Sequence, residues 1–174
     1  KENALLLAKK INTIQSYFVH QTRLGIPIIP FDEALHGLVR NGATVFPQSI
    51  ALAASFDTSL MGAVSRAIAI ESRARGIRDI LSPVLNIASD VRWGRTEETY
   101  GEDPLLVSRM AGTYIQNLES KGIVTTPKHF IANVGDGGRD SYPIHASELL
   151  LNEFYFPPFK YAVEQAGARS IMTA

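Results

Sequence analysis

Four glycines frame this sequence. Each closes an apolar-periodic segment and is followed at once by a short apolar run: Gly25 before IPIIPF, Gly76 before IRDILSPVLNI, Gly122 before IVTTPKHFIA and Gly167 before ARSIMTA. The intervals between them are 51, 46 and 45 residues. A glycine just past a helix end accepts the left-handed backbone of the cap. A short apolar run after it reads as a strand buried on both faces. The pattern helix, glycine, strand, repeated along the chain, predicts right-handed parallel βα units.

The segments between the glycines carry helix signals. Leu7, Ile11, Ile14 and Phe18 recur at steps of 4, 3 and 4 and form one helical face. Asp57 is placed to cap a second pattern that includes Leu60, Met61, Val64 and Ile68. Asp103-Pro104 opens a third, with Asp as cap and Pro at the first helical position. Residues 146–165 read as helical but are interrupted by Pro157-Pro158, which predicts two short helices with the second starting at the prolines.

A complete (β/α)8 barrel takes about 250 residues, or roughly 31 per unit. The expected fold class is therefore α/β, a TIM-barrel-like (β/α)8 architecture with roughly the first half of the barrel present. Residues 1–174 are expected to form a partial N-terminal barrel domain. Because the helix-to-strand joins are tight, the spare length falls after the strands, at 33–56, 88–103 and 133–145. In such a fold these loops gather at the C-terminal face, where active sites form. An open half-barrel leaves unpaired strand edges. The sequence stops on its fourth strand, so the expectation is a fragment of a longer protein, completed by a further chain segment or by a second copy in a homodimer. An independent flavodoxin-like sandwich is the competing arrangement, disfavoured by a boundary inside a strand.

Composition narrows the partners. There are 17 basic and 17 acidic residues, four histidines and no cysteine. A disulfide scaffold and a cysteine–zinc site are impossible, and the charge balance disfavours nucleic-acid binding through a basic surface. With 45% apolar residues, disorder is disfavoured too. No apolar run approaches the roughly 20 residues of a membrane span. The start at Lys1 shows no signal peptide, and the absence of an initiator Met leads us to expect the natural N-terminus, and any targeting segment, upstream. The lack of cysteine fits an exported protein. No compact metal-ligand spacing and no strand-then-helix G-x-G-x-x-G pattern occurs, so neither a metal nor a dinucleotide cofactor is expected.

The polar residues cluster just after the strands. Phe31-Asp32-Glu33 and the dipeptide His36-Gly37 follow the first. Asp90, Arg92, Trp93, Arg95, Glu97 and Glu98 follow the second, and Lys128-His129 and then Asp136, Arg139 and Asp140 follow the third. Carboxylates, guanidiniums and a Lys-His pair around one pocket suit an uncharged, polyhydroxylated ligand, whose hydroxyls donate to carboxylates and accept from Lys, His or Arg. A lysine at the end of an apolar run is costly to bury without a partner, which favours function for Lys128. Glu33 reads equally as a ligand or as a cap or loop contact, and His36 as a packed core histidine. Arg92 and Arg95 flank Trp93 and could form ion pairs with Glu97, Glu98 or Asp103; for Arg92 that structural role is favoured. Trp93 reads as a loop anchor, and His20 and His145 as structural or exposed.

The words RLGIPIIPFDEALHG, TVFPQSIALAASFD, SPVLNIASDVRWGRTEETYGEDP, TPKHFIAN and EFYFPPFKYAVEQAGARSIMTA together resemble the N-terminal barrel of glycoside hydrolase family 3. That group contains β-glucosidases, β-xylosidases and β-N-acetylglucosaminidases. The resemblance runs from about residue 22 to the end. It implies a full-length exo-acting β-D-glycosidase of β-glucosidase type, with a β-xylosidase as the alternative and a β-linked oligosaccharide as substrate. A non-catalytic sugar-binding half-barrel and an unrelated barrel enzyme acting on a phosphorylated metabolite are the competing functions. It also implies that Glu33, Arg95, Lys128, His129 and Arg139 line the −1 subsite. The family's nucleophilic aspartate and general-acid glutamate would both lie beyond Ala174, the acid usually in a second domain, so the chain alone is expected to be inactive. No cofactor is implied. Members are often periplasmic or secreted. The family often has Asp where this chain has Glu33, and a longer carboxylate crowds a hexose's hydroxymethyl group, which leans towards pentose. The amino-sugar enzymes carry a histidine-rich loop after the K-H-F word that this sequence lacks, disfavouring that specificity.

Overall fold

Asp57 and Asp103 cap their helices as their positions predict. The Asp57 carboxylate accepts from the backbone N–H groups of Ser59 and Leu60, and Asp103 accepts from Leu106 N–H. In the computed structural model, which describes residues 3–135, 138, 139 and 143–174, these open α3 (Thr58–Ala74) and α4 (Pro104–Glu119). Ahead of them lie α1 (Ala4–Gln21) and the short α2 (Ser49–Ala53). The Gln15 side chain brackets the Ile28 backbone, donating to its carbonyl at 2.9 Å and accepting from its N–H at 2.8 Å, which ties α1 to the chain entering the sheet. Only Leu7 of α1 is buried, and Ile14 and Phe18 remain exposed, so the apolar face read from the sequence is covered only at its N-terminal half.

The predicted units are present. β1 (Phe31–Asp32), β2 (Asp79–Ile80) and β3 (Val124–Thr125) are parallel and lie in the order β1-β2-β3. Phe31 pairs with Asp79 and Asp79 with Val124, so the strands are in step across the sheet. The fourth run lies parallel beside the continuation of β3: Phe130 N–H donates to Met172 O at 2.8 Å and Ala174 N–H to Phe130 O at 2.7 Å. The regular ladders are short because Pro83 and Pro127 lack the N–H that would extend them. Gly122 shows why the glycines recur. Its φ is +73°, and a Cβ there would sit 2.7 Å from the Arg73 guanidinium.

Over residues 148–164 the second helix starts at the prolines as expected, but no break separates it from the first. α5 (Glu148–Leu150) passes through a π-helical turn at Leu151–Tyr155 into α6 (Phe156–Glu164) without a break. Pro157 and Pro158 stand in the first turn of α6, where a missing N–H costs little, and the chain widens ahead of them instead of stopping. α4 is the centre of the helical layer: Val107, Met110, Ala111, Tyr114, Ile115 and Leu118 are all buried, packed against α3 on one side and α6 on the other. The result is a mixed helix and parallel-sheet structure that forms a partial α/β barrel. Among the described residues no helix is long and apolar enough to cross a membrane.

Candidate functional site

The C-terminal ends of the three strands bring the predicted residues together. Glu33 follows β1 directly, and its position is set by the backbone: its N–H donates to Asp32 Oδ1 at 2.9 Å and its carbonyl accepts from Val39 N–H at 2.9 Å. Lys128 follows β3 and is anchored to the chain after β2, its N–H donating to Pro83 O and its carbonyl accepting from Leu85 N–H. Its side chain then reaches over the middle strand, and Nζ donates to Glu33 Oε1 at 2.6 Å. Lys128 is 3% exposed. Burial of a lysine this deep requires a counter-charge, and Glu33 is that partner. The second carboxylate oxygen, Oε2, is buried and has no hydrogen-bond partner among the described residues.

A second group adjoins the first. Arg95 begins the 3-10 turn at Thr96–Glu98 and grips Glu98 in a two-pronged ion pair, Nε to Oε1 at 2.9 Å and Nη2 to Oε2 at 2.8 Å. Its Nη1 lies 3.0 Å from His129 Nε2. His129 is in turn held by Asn86, which is 1% exposed and follows β2. Arg95 and His129 are themselves almost fully buried. Among these described side chains, Glu33 offsets Lys128 and Glu98 offsets Arg95.

Arg139 stands at the margin. Its side chain is exposed, but its carbonyl accepts from Trp93 Nε1 at 2.8 Å, and Gly94 N–H donates to Gly138 O at 3.2 Å. Those bonds tie residues 138–139 to the loop that carries Arg95. The neighbouring Asp136 and Asp140 lie outside the described residues. Trp93 is thus the loop anchor its sequence context predicts.

Other polar residues take structural places. His36 Nδ1 bonds Phe46 O at 2.8 Å, while Phe46 N–H donates to His36 O, closing the 36–46 loop. Among the described residues Arg92 pairs with Asp90, and not with Glu97, Glu98 or Asp103. Those bonds hold the pKa of the half-buried Asp90 carboxyl down at about 2. Tyr114 on α4 lies beneath Glu33 and donates to Ala34 O at 2.6 Å. Burial, followed by the neighbouring Tyr100, pushes its phenol well above the ordinary range, so it remains a neutral donor. Among the described residues no cluster of His, Cys, Asp or Glu could hold a metal ion.

Sequence reasoning missed Asn86 and weighed Glu98 only as one of several partners for Arg92 and Arg95. The available signal for Asn86 was a polar residue inside the otherwise apolar run Val84–Ile87. A buried amide there needs partners, and His129 supplies them.

Comparison with known proteins matches the chain to a family. The model for the Glycosyl hydrolase family 3 N terminal domain matches residues 4–174. The chain is 39% identical over 170 residues to a β-xylosidase of Formosa agariphila, covering 86% of this chain and 23% of that protein. It is 34% identical over 159 residues to a β-glucosidase of Rhizobium radiobacter, covering 87% of this chain and 19% of that protein. Among solved structures it is similar to a β-glucosidase from Erythrobacter marinus, with TM-score 0.92 and 37% identity, covering 97% of this chain and 23% of that one. The chain therefore spans about a quarter or less of the length of these relatives.

Proposed function

The chain belongs to glycosyl hydrolase family 3, and from that premise we propose that it is the donor-sugar cradle of an exo-acting β-glycosidase. The whole protein releases the non-reducing-end sugar from β-linked oligosaccharides by retaining hydrolysis, in which a carboxylate attacks the anomeric carbon and a second carboxylic acid protonates the leaving oxygen. Both carboxylates come from the remainder of the longer protein. Glu33, Arg95, Lys128, His129 and Arg139 position the sugar.

One observation carries this reading. Glu33 Oε2 is buried without a partner among the described residues, while Oε1 is held by Lys128 at 2.6 Å. A buried acceptor left unsatisfied is costly. A sugar hydroxyl donating to Oε2 removes that cost and can accept from Lys128 at the same time. Such contacts tighten as the ring moves towards the oxocarbenium-like transition state, so they serve catalysis as well as binding. The test compares the whole protein with the 174-residue chain on nitrophenyl β-glycosides. Turnover by the former and none by the latter is expected. Robust turnover by the isolated chain would remove the cradle assignment.

The length of Glu33 favours a pentose over a hexose, and a β-xylosidase is among the relatives. Shortening the side chain in Glu33→Asp moves the carboxylate back by one methylene. We expect the ratio of kcat/KM for xyloside over glucoside to fall by about tenfold, a difference of roughly 1.4 kcal/mol, as for one methylene's worth of pocket shape. An unchanged ratio would show that this side chain does not set sugar size.

A further inference from the structure

Asn86 directs three hydrogen bonds to one residue. Oδ1 accepts from both the backbone N–H of His129 at 2.9 Å and its Nδ1 at 2.9 Å, and Nδ2 donates to the His129 carbonyl at 3.0 Å. The backbone groups settle which end of the amide is which, because an N–H only donates and a carbonyl only accepts. Oδ1 therefore faces Nδ1, and Nδ1 must carry a hydrogen. On the other side of the ring, Arg95 Nη1 faces Nε2 at 3.0 Å, and a guanidinium only donates. Nε2 must therefore present its lone pair. Two independent contacts thus select the same neutral tautomer.

We propose that Asn86 is a positioning residue that fixes His129 as the Nδ1–H tautomer, so that the imidazole meets Arg95 as a hydrogen-bond acceptor and holds that guanidinium in place for the sugar. The link to the sugar rests on the glycosidase reading above; the tautomer does not. Glu98 completes the relay by holding Arg95 through both prongs of the guanidinium.

Two measurements on the whole protein test this. In the first, histidine rings are isotopically labelled, and the His129 signal is assigned by its loss in His129→Gln. The NMR shifts should report Nδ1–H at neutral pH in the wild type and a mixture of tautomers in Asn86→Leu. An Nε2–H or imidazolium signature in the wild type would overturn the inference, and that outcome does not depend on Asn86→Leu folding. In the second, Asn86→Leu should lower kcat/KM for nitrophenyl β-glycosides by about 100-fold, chiefly through kcat, as expected when a ring loses its orientation. Undiminished kcat in a folded Asn86→Leu protein would also overturn it. If the wild type hydrolyses no β-glycoside yet shows the Nδ1–H signature, the glycosidase reading fails and the tautomer assignment stands.

Discussion

Replacing Lys128 by methionine is expected to reduce kcat/KM of the whole protein on nitrophenyl β-glycosides by about 10²- to 10³-fold while leaving the sheet intact. Methionine nearly matches the lysine stem in length, so the packing of the buried side chain survives. What disappears is the 2.6 Å bond to Glu33 and the positive charge beside it. Truncating one partner of a buried, hydrogen-bonded charge pair costs about 2–5 kcal/mol, much of it the penalty of the charge left behind. At about 1.4 kcal/mol per factor of ten, that spans about 30- to 5,000-fold, and the expected loss lies in the middle of it. The backbone bonds of Lys128 to Pro83 and Leu85 do not involve the side chain, so circular dichroism should be unchanged. Arginine is not a substitute, because its planar fork presents donors in a different geometry. Kinetics within about threefold of wild type would mean that the Glu33–Lys128 pair is peripheral to the reaction.

Gly37→Ala is expected to destabilise the protein by about 3 kcal/mol and to lower kcat/KM in parallel, although it adds a single methyl group. Gly37 has φ +129°, a region that L side chains rarely adopt, and a Cβ there would sit 2.2 Å from the carbonyl oxygen of Thr44. That neighbour is backbone and cannot swing aside. Thr44 is itself held, its N–H and hydroxyl both donating to Glu71. The loop can relieve the clash only by opening between His36 and Phe46, whose two reciprocal bonds close it. Glu33 is the start of the same loop through its carbonyl bond to Val39. Urea unfolding and steady-state kinetics on the same preparation test both halves. A variant with wild-type midpoint and kinetics would show that the loop yields without strain.

The architecture was legible because its punctuation is local. The helix caps at Asp57 and Asp103 and the four framing glycines depend on backbone conformation within a few residues, and a single sequence carries that information. Strand order and parallel pairing followed from the repeat. Several features did not follow. Coverage of a helix face depends on what packs against it, so the period of Leu7, Ile11, Ile14 and Phe18 could mark a helix but not its exposed half. The π turn before Pro157 is a compromise between missing donors and the packing of α6 on α4. Within the site, Glu33, Arg95, Lys128 and His129 were singled out through the family resemblance; type and placement alone favoured function at Lys128 and left Glu33 and Arg95 open. Their pairings were not legible, because Lys128 could have met any of several acids, and only the three-dimensional order of the strands selects Glu33. Asn86 was hidden because one amide among apolar residues looks the same whether it is solvated or committed to a distant imidazole.

The bond between Lys128 and Glu33 joins positions 95 residues apart, across a strand that neither belongs to. No part of the chain can assemble it alone, so this corner of the molecule comes into being only when the first and third units have docked on the second. Any sugar seated there would bind the docked state and not the separated one, and would raise its stability by mass action. It would behave as a removable staple around a long loop, whose closure the folded chain has already completed. Occupancy of the cradle should therefore be readable far from it, as slower amide exchange in β2, the strand held between the two ends of the staple.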